Sequence, residues 1–260
     1  MEINKIYNED CLEGMKKIPD GAIDMVLCDP PFGTTNNYWD KRIPFEPLWE
    51  QYKRITKKNA AIVLFSQMPF GSDLIQSNRK MFRYEWIWEK YLAAGFLNSR
   101  KMPLRAHENI LVFYQKLPTY NPQMTKGKPY IKVRKAEQFT KNYSSNCLKK
   151  EWLGINNGTR YPRDVLKCHT PYTSNNHSIT RGGIYHPTQK PVDLLEYLIK
   201  TYTNEGELVL DNCIGSGSTA VAAINTNRNF IGFETDAGYC EIANKRITEV
   251  QAAKEMALIL

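Results

Sequence analysis

Apolar residues recur along this chain in two periods. Short β-favouring runs at residues 22–28, 60–65, 83–88, 109–114, 207–211 and 229–233 predict strands. Residues 45–58, with Leu48, Trp49, Tyr52 and Ile55 on one face, predict a helix, and residues 69–80 predict another. A third helix is predicted through Ala220, Val221, Ala222, Ala223 and Ile224. The pattern is that of an α/β protein in which the strands at 83–88 and 109–114 form a hairpin bracketing residues 93–105.

Chemistry gathers where two of these strands stop. The first ends in Asp29-Pro30-Pro31-Phe32. A proline pair cannot continue a sheet ladder, so the chain leaves the sheet there, and ligands of open α/β sheets bind at such carboxyl ends. Proline offers a carbonyl and no N–H, so the turn after Asp29 presents acceptors while withholding donors. That suits a substrate carrying an NH2 group, with one N–H to the carboxylate, the other to a carbonyl such as that of Pro30, and Phe32 stacked on the ring bearing the amine.

The strand at 207–211 runs into Asp211-Asn212-Cys213-Ile214-Gly215-Ser216-Gly217-Ser218-Thr219. Gly215 and Gly217 permit positive φ and close ligand approach, and Ser218 or Thr219 is placed to cap the helix that follows. The next strand ends in Glu234, at the offset where an acid binds ribose hydroxyls, so this half reads as an adenosine-binding unit. The same residues match a dinucleotide fingerprint. Only 26 residues follow Glu234, too few for a second mononucleotide half, and Asp211 with Glu234 would repel a pyrophosphate while suiting a sulfonium and an ammonium group.

Together the Gly-rich turn and Asp-Pro-Pro-Phe resemble an amino-methyltransferase acting on nucleic-acid bases. The catalytic tetrapeptide precedes the cofactor turn, and His186-Pro187-Thr188-Gln189-Lys190-Pro191 resembles the segment before that turn in the permuted, beta class of DNA N6-adenine and N4-cytosine methyltransferases. The resemblance implies a Rossmann-like S-adenosylmethionine-dependent methyltransferase fold, circularly permuted, with a target-recognition insertion. Residues 1–115 would form the catalytic part of the core, 116–185 the DNA-binding insertion and 186–260 the cofactor-binding part. It implies Asp29, Pro30, Pro31 and Phe32 as catalytic residues. Asp10 and Cys11 would lie at the cofactor's adenine, Glu234 at its ribose, Thr188 and Lys190 at its methionine end, and Asp211, Gly215, Gly217 and Ser218 in the cofactor turn. Aspartate at the first catalytic position is typical of the N6 enzymes and serine of the N4 enzymes. N4-cytosine transfer, a more distant amine substrate in RNA or protein, and a silent DNA-binding relative are the alternatives. Two departures stand out: Asn212-Cys213 where the family often has Pro-Phe, and Phe32 where tyrosine is more usual.

Charge locates the expected DNA contact. Residues 116–185 hold thirteen Lys and Arg against Glu137, Glu151 and Asp164, a balance of +10 in a chain whose total is +8, so the remainder carries −2. With Tyr120, Tyr130, Phe139, Tyr143, Trp152, Tyr161 and Tyr172 among these charges, the segment suits phosphate contact and base stacking. A 42% hydrophobic content supports a sizeable core. No run reaches the roughly 18 apolar residues of a membrane span, and the first residues lack a signal peptide's apolar segment, so a cytoplasmic protein is expected. Six scattered cysteines have no Cys-x-x-Cys spacing and signal neither a disulfide framework nor a metal site, Cys168 with His169 and His177 being their one cluster with histidine. None sits in a motif that would activate it for cytosine C5 methylation. A homodimer and a companion restriction endonuclease are compatible with the resemblance.

Overall fold

The computed structural model describes residues 1–37, 40–134, 152–167 and 189–259. It divides into two units, Met1–Asn121 with Asp164–Leu260, and Pro122–Arg163. The smaller unit lies inside the basic stretch 116–185, and its described residues form two antiparallel pairs. β6 (Thr125–Lys126) pairs with β9 (Thr159–Arg160), and β7 (Tyr130–Arg134) pairs with β8 (Trp152–Asn156).

Among the described residues the larger unit is built on an eight-stranded sheet. Its strands are β1 (Lys5–Asn8), β2 (Ile23–Cys28), β3 (Thr56–Ser66), β4 (Phe82–Ala94), β5 (Arg105–Phe113), β10 (Val165–Lys167), β11 (Leu208–Asp211) and β12 (Asn229–Glu234). They stand in the order β1-β12-β11-β2-β3-β5-β4-β10, with β5 antiparallel to both neighbours and every other pair parallel. The expected hairpin is β4–β5, longer than its apolar stretches announce, because the strands continue to the pairing of Ala94 with Arg105.

Strand side chains alternate between two cores. Met25 and Leu27 of β2 and Ala61, Val63 and Phe65 of β3 face one layer, while Val26, Cys28, Ile62 and Leu64 face the other. The first layer is covered by α4 (Val192–Tyr202), α5 (Ser218–Asn225) and α6 (Ala237–Ile259) through residues such as Leu198, Val221 and Ala243. The second is covered by α1 (Cys11–Met15), α2 (Phe45–Ile55) and α3 (Phe70–Ser77) through Met15, Tyr52 and Leu74. Buried Tyr202 ties α4 to β4, since its hydroxyl accepts from Trp86 Nε1 at 2.7 Å and shares a proton with the Tyr84 hydroxyl at 2.8 Å.

The helix expected over 45–58 stops at Ile55. Thr56 is extended and begins β3 at once, its hydroxyl turned back onto the Tyr52 carbonyl at 2.6 Å. The cap expected of Ser218 or Thr219 belongs instead to Gly217, at φ +82°. Thr219 is unavailable for capping because its hydroxyl donates to Asp211 Oδ2 at 2.6 Å. No helix among the described residues is long and apolar enough to cross a membrane.

Candidate active site

β2 and β11 lie side by side and parallel, with Val26 opposite Leu210. From β2 the sheet continues to β3 on one side, and from β11 to β12 on the other, so the chain turns away in opposite directions after each strand. A crevice at the carboxyl ends of such strands is where α/β sheets bind ligands. Here it is a cleft of about 850 Å³ lined by both sequence motifs, Asp29 to Phe32 on one wall and Asp211 to Ser216 on the other.

Asp29 emerges at the end of β2 with its side chain 27% exposed. Its Oδ2 accepts from Lys190 Nζ at 2.5 Å, while Oδ1 is buried and accepts from no group among the described residues. Lys190, 9% exposed, also pairs with Glu108 Oε2 at 3.3 Å and lies 5.2 Å from the centroid of the Phe65 ring. Glu108 Oε1 is held in turn by Lys90 Nζ at 3.2 Å. Burial raises the Asp29 carboxyl above the usual carboxylate range, against the pull of Lys190 and with a smaller push from Glu108. Burial alone would lower the Lys190 ammonium, yet Asp29 and Glu108 hold it above its ordinary value, so it stays charged beside the acid.

Phe32 stacks on Phe70, ring centroids 5.1 Å apart at 28°, and its carbonyl accepts from Arg42 Nε at 2.7 Å. The loop beyond it is gathered by Asp40. One carboxylate oxygen accepts the Gly33 N–H at 2.7 Å, and the other accepts the N–H groups of Thr34 and Thr35 and the Thr35 hydroxyl at 2.7 to 2.8 Å. Burial would raise this carboxyl, but those donors outweigh it and hold Asp40 below the usual range.

Across the cleft the Gly-rich turn is held by its acids. Asp211 Oδ1 accepts the Cys213 N–H at 3.0 Å and Oδ2 the Thr219 hydroxyl. Burial nevertheless pushes its carboxyl up to about 7. Glu234 accepts the Gly215 N–H at 2.9 Å on one oxygen and the Asp236 N–H at 2.9 Å on the other. Each carboxylate oxygen has two lone-pair directions, so Glu234 keeps capacity for a ligand hydroxyl. Gly215, at φ +52°, has no atom within 4 Å of where a Cβ would stand. The Ser218 hydroxyl accepts from Arg246 at 3.3 Å. The departure at Asn212 has a structural reason: its buried side chain accepts the Tyr52 hydroxyl at 2.5 Å and faces the thiols of Cys11 and Cys213, knitting the turn to α1 and α2.

Asp10 and Cys11 line the same cleft, Asp10 using Oδ1 to cap α1 at the N–H groups of Leu12 and Glu13. Lys190, expected at the cofactor's methionine end, lines the same cleft and donates to the Asp29 carboxylate. Thr188 and the cluster Cys168, His169 and His177 lie outside the described residues. Burial pushes the Cys28 thiol up to about 12, and a thiol–thiol hydrogen bond to Cys213 together with burial raises Cys11, so these thiols are protonated near neutrality and poor nucleophiles. The residues not anticipated from sequence are Asp40, Lys90, Glu108 and Trp88. Trp88 lines the cleft at 8% exposure with an indole N–H that donates to nothing among the described residues.

The family model described as DNA methylase, N6_N4_Mtase, matches residues 23–245. The chain belongs to this DNA methylase family. It is 26% identical over 268 residues to the Type II methyltransferase M1.MboII of Moraxella bovis, covering 96% of this chain and 99% of that one. Its fold is like that of the M1.HpyAVI–SAM complex, with a TM-score of 0.60, 24% identity and coverage of 94% and 98%. It is also like that of the PvuII cytosine-N4-specific DNA methyltransferase, with a TM-score of 0.64, 16% identity and coverage of 95% and 90%. The fold is thus a Rossmann-like methyltransferase fold, and S-adenosylmethionine is the methyl donor of this DNA methylase. The site fits that cofactor: the open face of Gly215 admits a ligand against the turn, and Asp10 and Glu234 give the wall a negative character suited to a cationic ligand.

Proposed function

We propose that the protein methylates the exocyclic N6 of an adenine that has been rotated out of duplex DNA into the cleft. The observation that carries this reading is Asp29 Oδ1, a buried acceptor that no donor among the described residues satisfies, at the mouth of the strand neighbouring the cofactor turn. A buried acceptor left unpaired costs on the order of 1–3 kcal/mol, and an incoming N–H recovers it. In this reading Asp29 Oδ1 and the Pro30 carbonyl accept the two N–H bonds of the amine. That fixes the amine and draws electron density onto its nitrogen during attack. Pro31 keeps donors away from it, and Phe32 stacks on the ring. Trp88 supplies an N–H to the unprotonated ring nitrogen beside the amino carbon, the donor–acceptor pair that adenine and cytosine present on their Watson–Crick edge, where guanine has a protonated ring nitrogen beside its amine and thymine has no amine. S-Adenosylmethionine supplies a methyl group on a sulfonium, and no covalent enzyme intermediate is required.

For the cofactor, Asp10 and Cys11 would hold the adenine, Glu234 the ribose, and Gly215, Gly217 and Ser218 the turn that approaches the methionine portion. Asp211 would stand near the sulfonium, and Thr188 at the methionine end. Lys190 holds Asp29. Residues 116–185 would contact the DNA, with Lys126, Lys128, Lys132 and Arg163 among the cations that would pair with its phosphates. On the same reading the protein serves beside a restriction endonuclease. Asparatate at position 29 favours N6 transfer, while the donor and acceptor edge formed by Trp88 and Asp29 accommodates N4 of cytosine as well, and that is the second reading.

The test is Asp29→Ala. Transfer of labelled methyl to DNA is expected to vanish while calorimetric S-adenosylmethionine binding stays within about threefold, because truncation removes a transition-state contact rather than a cofactor contact. Near-normal turnover in the variant contradicts the reading.

A further inference from the structure

We propose that Phe96 and Leu97, at the tip of the β4–β5 hairpin, form a wedge that enters the base stack of duplex DNA and holds the target base out. This rests on the DNA-methylating function proposed above and assigns it a part that the cleft residues do not supply.

The tip is an ordered turn. Gly95, at φ +93°, starts a 3₁₀ turn over Phe96–Asn98. Backbone bonds from Asn98 N to Gly95 O at 2.9 Å, Ser99 N to Phe96 O at 3.0 Å, and Lys101 N and Met102 N to Asn98 O at 2.8 and 3.0 Å close it. On this fixed scaffold Phe96 is 78% and Leu97 99% exposed, with Leu92, Met102 and Leu104 also exposed around them. A contiguous apolar cluster that the fold holds in water marks a surface that binds something.

Two observations choose the occupant. From Lys90 to Arg105 the chain carries Lys90, Arg100, Lys101 and Arg105 and no acidic residue, which suits a polyanion and disfavours an acid-bearing protein groove. The base of the same hairpin is the wall of the active cleft: Trp88, Lys90, Leu92, Ala94 and Arg105 all line it together with Asp29. Ala94 is two residues from Phe96, a span of roughly 7 Å at most in extended chain. An apolar pair beside a base-sized cleft, flanked by cations for the neighbouring phosphates, is the arrangement by which proteins unstack a step and kink or open a duplex.

The experiment compares the wild type with Phe96→Ala and Leu97→Ala, exposed changes that leave the core untouched. Three oligonucleotides carry the methylated motif, with the target base paired, opposite an abasic site, or single-stranded. Each variant is expected to lose about ten- to hundredfold in kcat/KM on the paired duplex and less than about twofold on the other two, since unstacking costs a few kcal/mol only where the base is stacked and paired. With 2-aminopurine at the target position, the wild type is expected to raise its fluorescence and the variants to do so weakly. Equal losses on all three substrates, or no loss on any, overturn the wedge while leaving the methylation reading intact. Unchanged transfer with an altered sedimentation coefficient would assign the tip to a second copy of the chain and overturn it as well. A wild type that modifies none of the three overturns the function itself and the wedge with it.

Discussion

At the scale of single residues, the site works by opposing burial with charge. Asp29 sits where desolvation favours its protonated form, yet an amine substrate needs a carboxylate acceptor, and Lys190 at 2.5 Å supplies the opposing pull. Activity should therefore rise with pH through the Asp29 ionisation, whose acid limb lies above the ordinary carboxylate value of about 3.9. Lys190→Met removes the pull and leaves Asp29 with Glu108, so the limb should move to higher pH as well as the rate falling, measurable in a profile of kcat/KM against pH. A fall in rate with an unmoved limb would assign Lys190 to the cofactor alone. Asp29, Phe32, Gly215 and Glu234, which the structure brings to one cleft, were readable in the sequence as candidates because each belongs to a short motif at a strand end that carries its own chemical logic. Glu108, Lys90, Trp88 and Asp40 were not: Glu108 matters through Lys190, 82 positions away, and Trp88 stands opposite Glu108 only because β4 and β5 pair in that register.

At the scale of elements, two strand ends and one glycine turn set the geometry. The strands β2, β3, β11 and β12 and the hairpin were legible because buried strands read as apolar runs ended by turn residues. The bracket at 93–105 lies close to the observed tip, whereas the strand extensions beyond Trp88 and before Asn109 were not legible, since they depend on backbone pairing out to Arg105 rather than on apolar content. α6 gave a weak signal because its core side rests on small or soft residues, Cys240 and Ala243 among them. α5 needs its entry at Gly217, where a Cβ would stand 2.8 Å from the Ala243 Cβ in a backbone conformation that L residues rarely adopt. Gly217→Ala should cost about 1–3 kcal/mol in urea unfolding and weaken cofactor binding, because the turn and α6 must separate. A cost below about 0.5 kcal/mol would show that α6 yields freely at that contact.

At the scale of the whole molecule, stability and function meet in the acids buried beneath the cleft. Asp211 has its carboxyl raised to about 7 in the fold from a reference value of 3.8, so the folded state binds a proton that the unfolded chain releases. Its contribution is present below the unfolded value and lost as pH rises toward 7, which makes stability fall with pH. Between pH 5 and 8 the loss should be about 2–3 kcal/mol from this group. Asp211→Asn, which cannot ionise, should flatten that slope in denaturant unfolding at several pH values, whereas an unchanged slope would place the carboxylate in a better-satisfied environment. The excess of Lys and Arg in 116–185 marks a basic segment in the sequence, and the smaller compact unit covers Pro122–Arg163 within it.

The most direct measurement of the central claim is made on DNA. The wild type and Asp29→Ala are each expressed in a methylation-deficient bacterial host, and the genome is sequenced by a method that detects modified adenines and cytosines. N6-methyladenine at one recurring motif, present with the wild type and absent with the variant, is the expected result. A genome left unmodified by the wild type, or marked equally by the variant, contradicts the account.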